Sequence, residues 1–172
     1  MKKSTWSVMT GLALTTLLLA GCYKVTGGGR FTVSDGALYD ADGNTLADLT
    51  GNQCTFVFTA QSTGEEGSEE DFVSAKGEVQ IVNSSAGIIF HGVVDETGND
   101  MYQSMFPTDV AYWGSKGTIK IGKGKPVPVE SFQLNVSTSD PEAPTVFIGI
   151  SGTIGMVLSG TLEKGNVVIH TE

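Results

Sequence analysis

The sequence predicts an all-β protein: a single antiparallel β-barrel or β-sandwich of about ten short strands, preceded by a cleaved signal peptide. Three observations carry this. Apolar and polar residues alternate with a period of two, as in Phe132, Leu134 and Val136 against Gln133, Asn135 and Ser137. Turn residues interrupt that alternation every 8–12 residues or so, the spacing of short strands. No stretch beyond the N-terminal apolar run keeps a helical period over ten or more residues. Glycine takes 23 of 172 positions, about twice the usual share, which suits tight turns and strand bends. Alternation alone leaves barrel and sandwich both open.

In chain order, residues 1–21 begin with Lys2 and Lys3 near the start and go on to an apolar run from Gly11 to Leu19, closed by Ala20 and Gly21. A short basic region, a hydrophobic region of this length and small residues at its end have the layout of an export signal. The run is too short and too lightly flanked for a spanning helix. Residues 22–29 read as a tether, with Gly27, Gly28 and Gly29 flexible and without side chains to pack. Residues 30–172 form the all-β domain.

Within that domain Phe31 and Val33 start the first strand. Leu38 and Leu46 flank an Asp-Gly-Asn turn, which predicts a hairpin. Cys54 to Gln61 alternates cleanly, Lys76 to Val82 is a more polar strand, and Ile88 to Asp95 is apolar on both faces, as in a central strand. Met101 to Trp113 is the least regular part. Strands follow at 117–122, 130–138, 145–151, 156–163 and 166–171, with prolines at 141 and 144 marking a loop.

Charge bounds the partners. The whole chain has 10 basic and 19 acidic residues, and losing Lys2 and Lys3 leaves 8 against 19. Nucleic acid and electrostatic docking on anionic lipid both need positive surface, so neither partner is expected. Of the two cysteines, Cys54 shares the face of Phe56, Phe58 and Ala60, where a free thiol acts as a small buried hydrophobe.

No catalytic motif is present: no Gly-x-Ser-x-Gly elbow, no His-Glu-x-x-His and no phosphate loop. The chain is expected not to be an enzyme, with no catalytic residues, cofactor or metal. Asp40, Asp42, Asn44 and Asp48 have oxygen-ligand spacing for calcium, but the positions that an EF-type loop gives to glycine and glutamate hold Thr45 and Gly51. A plain hairpin turn is the expected reading, and calcium its alternative. Glu65, Glu66, Glu69, Glu70 and Asp71 make an acidic loop that is expected to stay solvated. His91 and His170 lack a third ligand at readable spacing and are expected to be structural. Met101, Tyr102, Met105, Phe106, Tyr112 and Trp113 form a candidate ligand or contact patch. Its alternative is a loop that folds over one end of the domain and buries these side chains.

The quartet Leu19-Ala20-Gly21-Cys22 resembles the lipobox of bacterial lipoproteins. That resemblance implies cleavage before Cys22 and acylation of its thiol and amine, so that the membrane is a partner through a lipid anchor. Two or more acyl chains hold a protein stably at a bilayer. Tyr23 is not the aspartate that lipoprotein sorting rules associate with inner-membrane retention. The implied location is the cell envelope, and the outer membrane where there are two.

The mature part resembles an uncharacterised secreted all-β domain of bacteria. It shares a closing Ser159-Gly160-Thr161-Leu162 with Gly165-Asn166-Val167 and His170, the opening Gly27-Gly28-Gly29, and Phe90-His91-Gly92 in mid-chain. Lys164 stands where that domain has glycine. The resemblance implies fold and export but no activity. The expected function is therefore a non-enzymatic structural or binding module of the envelope, with an envelope protein as candidate partner. The alternative is a β-barrel carrier of a small apolar ligand. The two termini carry matching glycine-then-alternating stretches, which are expected to lie side by side and close the sheet.

Overall fold

The computed structural model describes residues 24–62, 73–94, 101–106 and 109–170. Among them there is no helix, and eleven strands follow in order: β1 (Lys24–Asp40), β2 (Thr45–Asp48), β3 (Gln53–Ser62), β4 (Val73–Asn83), β5 (Ile88–Val94), β6 (Met101–Phe106), β7 (Asp109–Gly114), β8 (Lys116–Ile121), β9 (Val127–Ser137), β10 (Thr145–Gly152) and β11 (Ile154–His170).

Eight of these close into an antiparallel barrel. The path runs β10-β11-β1-β3-β4-β5-β8-β9, and β9 returns to β10. β7 and β8 lie end to end against β9 in one register, with Gly114 opposite Phe132 and Gly117 opposite Val129. β6 sits between β7 and the start of β4, and β2 folds back on the end of β1. The first and last strands pair from Lys24–His170 to Asp40–Ile154, as the matching termini predict. Closure removes the free edges of the ring that would otherwise recruit other chains.

Alternation decides what fills the barrel. Phe31, Phe56, Phe58, Phe90, Phe132, Leu134, Ile148, Met156 and Leu158 point inward and are buried. Phe90 and Phe132 meet edge to face with ring centroids 5.2 Å apart, and Phe31 meets Phe56 the same way at 6.1 Å. Thr55, Thr59, Gln80, His91 and Thr118 point outward. A membrane-spanning barrel has the reverse polarity, an apolar outer band around a polar lumen.

Inward glycines make room for these rings. A Cβ on Gly27 would lie 2.5 Å from Cε1 of Phe58, and one on Gly92 would lie 2.7 Å from two atoms of the Phe132 ring. Gly114 faces that ring still more closely. Large and small residues thus alternate around the narrow interior.

Several expectations are corrected. Residues 24–29, read as part of the tether, are the first third of β1, hydrogen-bonded to β3 on one side and β11 on the other. They pack because the space of the missing side chains is taken by Phe58 of β3 at Gly27 and by Leu162 of β11 at Gly29. The segment from Met101 to Trp113, read as irregular or as a covering loop, is a hairpin in the barrel wall, with Met101 opposite Trp113 and Tyr102 opposite Tyr112. Ile88–Val94 is not buried on both faces: Ile88, Phe90 and Val94 point inward, while Ile89 and His91 are exposed, because a barrel wall has only one covered side. The two C-terminal strands are one, β11, and Gly165 is a bend within it. There φ is +145° and the backbone meets Gly29 so closely that a side chain would collide with the Gly28 carbonyl.

Candidate functional site

Cys22 lies outside the described residues, two positions before β1 begins at Lys24. Lys24 pairs with Gln61 and His170, so the 63–72 connection leaves the barrel at the end where β1 starts. The acidic residues Glu65, Glu66, Glu69, Glu70 and Asp71 belong to that connection and also lie outside the described residues. The opposite end carries tight turns, including those at Gly43, Gly87 and Gly122, all with positive φ.

The oxygen-rich hairpin is built as a turn. Oδ1 of Asp40 accepts the backbone N–H groups of Asp42 at 3.0 Å and Asn44 at 2.8 Å, and Oδ2 accepts Nδ2 of Asn44 at 3.0 Å. The Asn44 side chain and backbone hold the Asp40 carboxyl below its ordinary range. Asp48 is likewise lowered by accepting from Thr50. Asp40 thus closes the hairpin around Gly43, and Asp48 the next turn, at Thr50.

Cys54 is fully buried among the inward side chains. Burial pushes its thiol up to about 11 from 9.0, against a smaller opposing pull from Asn83. A thiol so placed stays protonated and unreactive at neutral pH. Asn83, itself fully buried, accepts the Ala86 N–H at 3.0 Å through Oδ1 and so caps the β4–β5 turn.

His91 and His170 do not meet, because β1, β3 and β4 separate their strands. His91 is an exposed side chain on the outer wall, with Nε2 3.6 Å from Oε2 of Glu78. Of the candidate patch, Trp113 is half-buried in β7. Met101, Tyr102, Met105, Phe106 and Tyr112 are placed by their strands alone, since their side chains lie outside the described residues. Alternation missed a second feature on the same wall. A groove of about 510 Å³ crosses the outer face of β7, β9, β10 and β11 beside Phe147.

No family model, no curated protein and no solved structure matches this chain.

Proposed function

We propose that the protein is a non-enzymatic module of the bacterial cell envelope, held at a membrane by acyl chains on Cys22. The observation that carries this reading is the Leu19-Ala20-Gly21-Cys22 quartet at the end of an export-type leader. Two features support it. Many of the described outward residues, Thr55, Thr59, Gln80, His91 and Thr118 among them, are polar, which supports attachment through the acyl chains rather than through the wall. The inward residues pack against one another around phenylalanine rings, which favours a self-contained module over a carrier that encloses an apolar ligand.

With β1 starting two residues after the anchor, the barrel sits directly on the bilayer with no spacer. In a cell with two membranes the outer is the proposed home, on the strength of Tyr23. Metabolic labelling with an alkyne fatty acid tests the anchor. The native chain is expected to label and to yield a mature N-terminus at Cys22. Cys22→Ala is expected to stay unlabelled and keep residues 1–21. Equal labelling of both chains, or release of the native protein into the soluble fraction, overturns the reading.

A further inference from the structure

Four neighbouring wall strands bring Ala111, Asn135, Phe147 and Ser159 into one lateral row on the outside of the barrel. The small side chains of Ala111 and Ser159 flank the two larger ones, which opens the groove of about 510 Å³. Phe147 is 37% exposed there. A Cβ on Gly149 would lie 3.4 Å from Cε1 and 3.7 Å from Cζ of Phe147, so the ring leans along its own strand over the glycine. Nε2 of Gln133 donates to Oδ1 of Asn135 at 3.2 Å and orients that amide, whose Nδ2 has no protein partner among the described residues. Thr145, Ser137 and Ser159 bring hydroxyls to the lining, Val110, Val136 and Val146 add apolar surface, and none of the described lining residues is charged.

This lining is selective by its chemistry. An anionic ligand requires cationic partners, and a formal net charge of −9 for the chain works against one. An acyl chain requires an enclosed apolar channel, whereas this groove is open to solvent and sets hydroxyls and an amide beside its apolar surface. A pyranose has C–H groups on its faces and hydroxyls around its rim, matching an aromatic ring beside neutral donors and acceptors. We propose that this groove binds a neutral oligosaccharide, with one sugar ring against Phe147 and its hydroxyls on Asn135 and Thr145. The site does not depend on the lipid anchor, and the labelling experiment above and the one below fail independently.

The native protein, purified in a detergent without a sugar headgroup, is titrated calorimetrically with an N-acetylglucosamine tetramer and separately with a glucose tetramer. Saturable binding of either is expected, and the better ligand tells an amino-sugar polymer from a plain hexose polymer as the source. Phe147→Ala is expected to weaken binding about tenfold, the loss of one ring contact, while Phe147→Tyr retains it. Asn135→Ala is expected to weaken it as well and keeps the test decisive if Phe147→Ala folds poorly. Val57→Ala, at an exposed position on β3 away from the groove, is expected to leave affinity unchanged. Lack of saturable binding of both tetramers up to about 10 mM, or binding that Phe147→Ala and Asn135→Ala leave intact, overturns the proposal.

Discussion

Replacing Gly27 by alanine tests whether the opening glycines belong to the barrel. On a flexible tether this change is harmless or slightly favourable, since it narrows the unfolded ensemble by about 0.4–1 kcal/mol. In β1 the new methyl carbon arrives 2.5 Å from Cε1 and 2.9 Å from Cζ of Phe58, and 3.1 Å from Cγ2 of Val167. Contacts that short force the ring or the strand to move. Phe58 is 1% exposed and stacks on Phe56 with centroids 6.2 Å apart, so the ring has little space to yield.

Overpacking costs about 1–3 kcal/mol, and contacts this short belong to the upper part, about 2–3, so subtracting the unfolded-state gain leaves about 1–2.6 kcal/mol. For a domain of this size the expected fall in Tm is about 3–8 °C. Scanning calorimetry of the native chain and Gly27→Ala reads it. A double-mutant cycle with Phe58→Leu, which removes the far end of the ring, assigns the cause. In that background the methyl is expected to cost less than in the native chain by more than about 0.5 kcal/mol. Gly149→Ala is the control, since its methyl meets nothing closer than 3.4 Å and is expected to change stability by less than about 0.5 kcal/mol. An unchanged or raised Tm for Gly27→Ala, or an additive cycle, refutes the reasoning.

Four other outcomes are expected. Phe132→Ala empties the space enclosed by Gly92, Gly114 and Phe90 and is expected to cost about 3–5 kcal/mol in a denaturant titration. The Cys54 thiol titrates near 11 in the fold and near 9.0 in the unfolded chain, so the folded state holds the proton more tightly. Its contribution to stability is full below pH 9 and is lost as pH rises through the folded value, a fall of about 3 kcal/mol that Cys54→Ala is expected not to show. At neutral pH an alkylating reagent is expected to reach Cys54 only after denaturation. Asp40 shifts the opposite way, so its contribution is present above the ordinary carboxylate range and disappears on acidification. Asp40→Ala is expected to flatten that part of the acid dependence of Tm.

Much of the inner wall was legible because burial imposes a period of two. Phe56 and Phe58, or Leu134 and Val136, announce one covered face by their spacing alone. The matching glycine-then-alternating stretches at the two ends likewise point to the pairing of β1 with β11. The glycines were misread because a missing side chain has two uses that look identical in sequence. Gly43 and Gly122 supply positive φ in turns, whereas Gly27, Gly92 and Gly114 supply volume for rings on other strands. Only the partner, 31 positions away for Gly27 and Phe58, tells them apart. The hairpin of β6 and β7 was hidden for a related reason: the alternation of its large apolar residues is broken by a register shift between Gln103 and Phe106.

The outer wall obeys no such period, and the candidate binding surface lies there. Ala111, Asn135, Phe147 and Ser159 are separated by 24, 12 and 12 positions, and each looks like an ordinary outward residue of its own strand. They become neighbours only because antiparallel pairing sets each opposite the next, and closure fixes those registers all around the ring. A slip of one residue in β10 would carry Phe147 into the core and turn Ile148 out to solvent, replacing an aromatic ring beside hydroxyls and an amide with an aliphatic ridge. The packed interior therefore has a role in binding although it touches no ligand. By holding Ile148 and Leu134 inward, it keeps Phe147 and Asn135 side by side on the surface.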